Sequence, residues 1–233
     1  MNNPTKGENV FFADLHHPGG ETEEITRLVN EIPSDAQRIF FLGDLFNFWI
    51  NDPSFIQSKY EPFLNHLQEW AKQGLQLFFL EGNRDFLASH YFEEQPWIDV
   101  LPNPSVIDIG GRAVYIGHGD ELCWNDWAYQ LYKSFIRSHP MRYLADRLPA
   151  PIRRRAAQSL SEASNAIVSN KTESTLAIPQ RAYESIISSG IDVIVHGHVH
   201  QTYQRKIIVN GKEGQVLSFG WKDNQRNIIH FSG

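Results

Sequence analysis

The chain has 233 residues, of which 41% are hydrophobic and 21% charged, which is enough for one α/β domain with a fully formed core. Its net charge of −6 disfavours nucleic acid as a partner, because affinity for a phosphate backbone requires a basic surface. The single cysteine, Cys123, excludes an intramolecular disulfide and a thiolate metal cluster. The sequence shows no apolar leader and no apolar run long enough to span a membrane. Together these features predict a cytoplasmic protein.

Five short apolar runs predict buried strands that alternate with helices. Each run is rich in β-branched or aromatic residues and is closed by Gly or Asp; the runs are 10–13, 38–42, 75–80, 113–116 and 191–195. Apolar residues at helical spacing predict helices over 22–31 and 55–72. Near the end of the chain, Asn210-Gly211 predicts a hairpin turn between two strands, with further strands after it. The pattern indicates two layers of sheet with helices outside them.

The stretch 123–178 differs in character from the rest of the chain. It has a helical pattern, carries aromatic residues such as Trp124 and Trp127, and is rich in arginine. Because it lies between two predicted strands, we interpret it as a helical cap inserted into a single domain that spans 1–233.

Polar loops follow all five predicted strands, where open α/β sheets place their sites. In chain order the loops read Asp14-Leu15-His16, Gly43-Asp44, Gly82-Asn83-Arg84-Asp85, Gly117-His118-Gly119-Asp120 and His196-Gly197-His198-Val199-His200. If the first and last loops are extended, residues two apart point to the same side, so that Asp14 and His16 converge, as do His198 and His200.

These loops offer a set of oxygen and imidazole ligands without a thiolate. Two Asp, one Asn and four His exceed the needs of one tetrahedral ion and suit two ions that share a carboxylate. Such ligands fit Mn²⁺, Fe²⁺ or Zn²⁺ better than Ca²⁺. Taken singly, each has an ordinary explanation, such as a helix N-cap for Asp44 or a core histidine for His118. Five such loops in this order favour a metal centre.

With these motifs the sequence resembles the calcineurin-like metallophosphoesterases over nearly the whole chain. The resemblance implies a four-layer α/β/β/α sandwich. It also implies two groups of metal ligands joined by a bridging carboxylate, Asp44: Asp14, His16 and His200 hold one ion, and Asn83, His118 and His198 hold the other.

The segment Gly82-Asn83-Arg84-Asp85-Phe86 has arginine where many phosphatases of this superfamily have a histidine that acts as a general acid. With segments 43–50, 118–123 and 125–130, it is similar to the UDP-2,3-diacylglucosamine diphosphatases of lipid A synthesis. A guanidinium binds a diphosphate bidentately but is a poor proton donor, so Arg84 favours cleavage of a pyrophosphate over an alkyl monoester. The alternative for Arg84 is a surface ion pair, for instance with Asp85.

This closer resemblance implies attack of a metal-bound hydroxide on the α-phosphorus of UDP-2,3-diacylglucosamine, giving UMP and 2,3-diacylglucosamine 1-phosphate. The implied catalytic residues are Asn83, Arg84 and His118. The implied substrate-binding residues are Arg84, Asp126, Tyr129, Ser164 and Lys171. We expect two divalent ions, Mn²⁺ with Fe²⁺ or Zn²⁺ as alternatives. We expect a nucleotide-diphospho-lipid substrate, contact with the cytoplasmic face of the inner membrane, and no nucleic acid or protein partner.

Several residues depart from the family pattern, and they leave two further functions open. The departures are His17-Pro18, Gln201-Thr202 and a lack of basic residues in 161–170. The alternatives are a hydrolase of another nucleotide diphosphate or phosphodiester on the same core, and a metal-binding scaffold without activity. Six cap arginines either meet anionic lipid headgroups or form a solvated helix face: Arg137, Arg142, Arg147, Arg153, Arg154 and Arg155.

Overall fold

The computed structural model describes residues 8–20, 23–136, 138, 147–149, 151–155, 159, 178–219 and 229–231. Within these ranges the chain forms two five-stranded sheets. The first sheet contains β1 (Glu8–Phe12), β2 (Ala36–Leu42), β3 (Gln76–Leu80), β4 (Asp99–Val100) and β10 (Ile229–Phe231). The second contains β5 (Ser105–Ile109), β6 (Arg112–Gly117), β7 (Val193–His196), β8 (Tyr203–Val209) and β9 (Lys212–Ser218).

The first sheet has the order β10-β1-β2-β3-β4, and its strands are parallel except for β10. The second has the order β5-β6-β7-β9-β8, with β6, β7 and β9 parallel and an antiparallel strand at each edge. The carboxyl ends of β1, β2 and β3 therefore meet at one edge of the first sheet, and those of β6 and β7 meet at one edge of the second.

The helices named in the described ranges are α1 (Glu23–Glu31), α2 (Pro53–Lys72), α3 (Ala88–Glu93), α4 (Trp127–Ile136) and α5 (Gln180–Ser188). The longest, α2, begins at Pro53 behind an N-cap, Asp52, whose carboxylate accepts the N–H groups of Ser54 at 3.0 Å and Phe55 at 3.2 Å. None of the described helices is long and apolar enough to cross a membrane.

Alternate residues of the strands enter separate apolar clusters, which explains why the strand segments read as continuous hydrophobic runs. In β2, Phe40 and Leu42 pack between the two sheets with residues such as Val114 and Val195. Ile39 and Phe41 point the other way, into the cluster formed with α1, α2 and α3. A third cluster joins α5 to the outer face of the second sheet.

The predicted α/β fold with two sheets is confirmed, as are the five strands that precede the polar loops. The hairpin is confirmed too: β8 and β9 pair antiparallel around Asn210 and Gly211, which have φ of 52° and 81°. The prediction missed α3, β4, β5 and α5, whereas β10 is a strand of the kind expected after the hairpin. Two of these, α3 and β4, have six and two residues, too few to show a period in the sequence.

The inserted cap is described only in part. Its first helix is α4, and residues 151–155 are also helical. The single domain with a cap at 123–178 stays a prediction, because most of the segment between α4 and α5 lies outside the described residues.

Candidate metal centre

The structure brings the first and last polar loops together. Asp14 Oδ1 lies 3.5 Å from His200 Nε2, and the Nε2 atoms of His16 and His200 are 3.3 Å apart. One ligand atom from each of Asp14, His16 and His200 lies within 4.8 Å of the others. The same holds for Asp14, Asp44 and His118. These two groups share Asp14 and form one continuous cluster.

Asp44 lies between the two ends of this cluster. Its Oδ2 is 3.8 Å from His16 Nδ1, and its Oδ1 is 3.8 Å from His118 Nε2. The side-chain oxygen of Asn83 is 2.9 Å from the same His118 nitrogen. The ring of His118 is in turn 5.0 Å from that of His198, measured between centroids. All seven predicted ligands are therefore neighbours, and Asp44 lies within 3.8 Å of both His16 and His118.

Two buried atoms of the cluster favour a cation. Within the described ranges, Asp14 Oδ1 and His16 Nδ1 are buried and have no hydrogen-bond partner. Leaving such an atom unsatisfied costs about 1–3 kcal/mol, which a bound metal ion would offset. The donor set of carboxylate, amide and imidazole suits a transition-metal divalent ion. The residues present thus fit a metal centre.

The electrostatics of the site point the same way. Burial alone lowers the pKa of His118, but the carboxylates of Asp44, Asp120 and Asp14 outweigh burial and raise this pKa to about 9. Burial would raise the pKa of Asp14, yet the close contact of its carboxylate with His200 and the charges of the nearby histidines lower it overall. The carboxylates of the pocket therefore stabilise positive charge at His118. His198 instead has its pKa lowered to about 4 by burial and by the charge of His118.

The backbone at the ligands is left-handed, and the prediction that the two Asp/His loops are extended is wrong. Positive φ angles of 54°, 45°, 52°, 69° and 50° occur at Asp14, His16, Asp44, His198 and His200. Non-glycine residues rarely adopt this conformation, which costs about 1–3 kcal/mol each and collects at functional sites. The pair His198 and His200 also diverges, since His200 lies beside Asp14 whereas His198 packs on His118.

Close backbone contacts explain two of the loop glycines. Gly43 has a φ of +84°, and a Cβ there would lie 2.6 Å from the backbone of Gly82. A Cβ at Gly82 would lie 2.1 Å from the backbone nitrogen of Asp44. The loops after β2 and β3 can therefore touch only because both positions lack a side chain.

Arg84 lies against the candidate bridging carboxylate. Its Nε is 3.5 Å from Asp44 Oδ2, and its backbone N–H donates to Asp44 Oδ1 at 2.8 Å. The Arg84 side chain is only 14% exposed, so it lines the site and does not extend into solvent. Asp85, the partner considered as an alternative, uses its carboxylate to accept backbone N–H groups, including that of Leu45 at 2.7 Å.

The predicted substrate contacts are only partly described. Asp126 precedes α4, and its carbonyl oxygen accepts the N–H of Gln130 at 3.0 Å. Tyr129 lies in the first half of α4. The other two predicted contacts, Ser164 and Lys171, lie outside the described residues.

Two of the cap arginines bind the core of the protein. Arg153 donates to the carbonyl oxygen of Asn51 at 2.6 Å, and Arg154 pairs with Asp52 at 3.1 Å. They fasten residues 151–155 to the start of α2, so neither prediction for these two arginines, lipid contact or a purely solvated face, describes them fully. Arg147 and Arg155 are exposed, whereas Arg137 and Arg142 lie outside the described residues.

The sequence analysis missed a buried group that supports the last loop. His196 is fully buried; its Nδ1 lies 2.9 Å from the carbonyl oxygen of Gly197, and its Nε2 lies 2.9 Å from the hydroxyl of Tyr183. A carbonyl only accepts, so Nδ1 carries the proton and Nε2 accepts from Tyr183. Burial lowers the pKa of His196 to about 4, which keeps the ring neutral. Its place in the run His196-Gly197-His198 was the signal available in the sequence.

Comparison with known proteins identifies a family and several relatives of this chain. The family model described as "Calcineurin-like phosphoesterase" matches residues 10–202. A UDP-2,3-diacylglucosamine hydrolase of Aliivibrio fischeri is 30% identical over 228 residues, covering 96% of this chain and 94% of the relative. One of Nitrosococcus oceani is 32% identical over 225 residues, covering 94% and 89%. Among solved structures, Vps29 of Entamoeba histolytica with Zn²⁺ matches with a TM-score of 0.41 and 12% identity, covering 91% of this chain and 73% of that one.

Proposed function

Because the chain belongs to the calcineurin-like phosphoesterase family, we propose that this hydrolase cleaves the pyrophosphate bond of UDP-2,3-diacylglucosamine to UMP and 2,3-diacylglucosamine 1-phosphate. The observation that carries the proposal is Arg84 against Asp44 inside the metal-ligand cluster, at a Nε–Oδ2 distance of 3.5 Å. Relatives that bear the name UDP-2,3-diacylglucosamine hydrolase match along nearly the full length of the chain and support the choice of substrate.

Two divalent ions would occupy the cluster, and we propose Mn²⁺, with Fe²⁺ or Zn²⁺ as alternatives. The proposed ligands are Asp14, His16 and His200 on one side, Asn83, His118 and His198 on the other, and Asp44 between them. When bound, the ions supply an activated water and offset negative charge on the reacting phosphate. The orphaned Asp14 Oδ1 and His16 Nδ1 are the atoms that most directly support this assignment.

Arg84 selects the kind of bond that is cut. Its guanidinium sits at the edge of the cluster, where it would donate paired N–H groups to the diphosphate and stabilise charge as the bond breaks. A guanidinium is a poor proton donor, so Arg84 would not pass a proton to the leaving group. A phosphate leaves without a proton more readily than an alkoxide does, which favours an anhydride substrate. His118 and Asn83 complete the proposed catalytic set.

The remaining chain would cover the lipid part of the substrate. We propose a four-layer α/β/β/α sandwich with a helical cap at 123–178, in which Asp126, Tyr129, Ser164 and Lys171 contact the substrate. On α4, Leu131 and Phe135 are one helical turn apart and are 66% and 61% exposed. Apolar side chains left in water here support contact with acyl chains or with the cytoplasmic face of the inner membrane, since each buried methylene contributes about 0.8 kcal/mol.

The test is Mn²⁺-dependent release of UMP from UDP-2,3-diacylglucosamine, with UDP-N-acetylglucosamine as the matched substrate that lacks the two long acyl chains. We expect rapid release from the diacyl substrate and little from the other. Equal cleavage of both would point to a hydrolase of soluble nucleotide diphosphates. Turnover of bis-p-nitrophenyl phosphate but of neither UDP-sugar would support the phosphodiesterase alternative. No hydrolysis of any substrate by the metal-loaded protein would support the metal-binding scaffold without activity.

A further inference from the structure

Asp85 is a fully buried carboxylate that accepts four backbone N–H groups. Its Oδ1 accepts from Asp44 at 3.2 Å and from Gly82 at 2.9 Å. Its Oδ2 accepts from Leu45 at 2.7 Å and from Phe46 at 3.3 Å. Three of the four donors are successive residues of the loop after β2, and they begin at Asp44. The Asp85 side chain thus holds the turn that carries Asp44, the proposed bridging carboxylate, through hydrogen bonds to three successive backbone N–H groups.

Solvent cannot replace these contacts. Leu45 and Phe46 are 1% and 0% exposed, so their N–H groups have no access to bulk water. A buried N–H without an acceptor is costly, and three in a row would drive the loop to another conformation. Asp44 itself has a φ of 52°, which a free loop would not keep.

The contact is also reciprocal. The N–H of Asp44 donates to Asp85, while the N–H of Arg84 donates to Asp44 Oδ1 at 2.8 Å. The loops after β2 and β3 therefore hold each other, and one of the bonds ends on the very oxygen that faces His118 at 3.8 Å. Because one hydrogen bond joins Asp85 directly to Asp44, a shift of the Asp85 side chain would also shift the proposed metal ligand.

We propose that Asp85 is a positioning residue that fixes the direction of the Asp44 carboxylate and thereby sets the affinity of the site for metal. The proposal rests on the proposed role of Asp44 as a ligand, but not on the identity of the substrate. Residues that orient metal ligands change metal affinity or activity by about 10–100-fold when they are replaced. A residue that only stabilises the fold would leave the affinity of the folded protein unchanged.

The experiment measures Mn²⁺ binding to metal-free protein by titration calorimetry for wild type, Asp85→Asn and Asp85→Ala. Asp85→Asn keeps one of the two acceptor oxygens, so two of the four backbone N–H groups retain an acceptor. The matched control is Asp192→Ala, because Asp192 accepts the N–H of Ala113 at 2.8 Å and pairs with Lys212 at 3.1 Å, before β7 and far from its carboxyl end.

We expect both Asp85 variants to bind Mn²⁺ about 10–100-fold more weakly, with kcat for bis-p-nitrophenyl phosphate reduced and KM little changed, while the control keeps wild-type affinity. Wild-type affinity in folded Asp85→Asn would overturn the proposal. If wild-type protein binds Mn²⁺ but does not hydrolyse UDP-2,3-diacylglucosamine, only the proposed substrate is refuted, and the proposed role of Asp85 stands. Wild-type protein that binds none of Mn²⁺, Fe²⁺ and Zn²⁺ would refute both.

Discussion

A single methyl group at Gly82 should disable the site without removing any ligand. A Cβ at this position would lie 2.1 Å from the backbone nitrogen of Asp44 and 2.2 Å from its Oδ1. Ordinary contacts are about 3.5 Å, so the two loops must separate by about 1.4 Å at this point. Misplacement by about 1 Å costs about 100-fold in rate, and overpacking costs about 1–3 kcal/mol of stability.

The assay for Gly82→Ala is kcat for bis-p-nitrophenyl phosphate at saturating Mn²⁺, together with urea denaturation. Gly74→Ala is the control, because Gly74 has a φ of +98° and a Cβ there meets no atom within 4 Å. The free energy of unfolding of the Gly74→Ala control should decrease by about 1–2 kcal/mol because of backbone strain, and its activity should be unchanged. If Gly82→Ala kept wild-type kcat and Mn²⁺ affinity, the position of Asp44 would not be critical, and our account of the site would be wrong.

Three further predictions concern charge, metal and pH. Arg84→Ala should lower kcat for UDP-2,3-diacylglucosamine by about 10²–10³-fold with unchanged Mn²⁺ affinity in calorimetry; a smaller loss would remove Arg84 from the reaction. Mn²⁺ at 100 times its Kd should raise the free energy of unfolding by about 2.7 kcal/mol for each bound ion in denaturant titrations, an effect that Asp44→Ala should abolish. The pKa of His196 falls from 6.5 to about 4 on folding, so the unfolded chain binds the proton more tightly. The free energy of unfolding of metal-free protein should therefore decrease by about 3 kcal/mol as the pH falls from 6.5 to about 4. His196→Gln should flatten this slope in denaturation at a series of pH values, and an unchanged slope would assign the loss to other groups.

The sequence predicted the parts of the molecule that depend on local pattern. Runs such as Ile39 to Leu42 are apolar on both faces of a strand, so their burial could be inferred without knowing the partner layers. The polar residues behind them could be assigned to the carboxyl ends of the strands, because parallel strands end together. The structure brings Asp14, Asp44 and His118 close to one another, and their role as ligands stays a prediction.

The missed features depend on contacts between distant segments. No local pattern shows that Asp85 accepts N–H groups from 39 to 41 residues earlier in the chain, or that His196 meets Tyr183. The left-handed backbone at His16 and His200 was missed because residue spacing carries no information on φ, and histidine rarely adopts positive values. Spacing suggested the convergence of Asp14 with His16, but through the wrong backbone geometry.

The central claim is that a pair of metal ions held around Asp44 performs the hydrolysis. The most direct test is to strip the protein with EDTA, titrate Mn²⁺ back, and record bound metal and hydrolysis of bis-p-nitrophenyl phosphate in the same samples. Our account predicts no activity in the stripped protein, activity that saturates at two ions per chain, and no recovery in Asp44→Ala. Full activity after exhaustive chelation, or saturation at one ion, would contradict it.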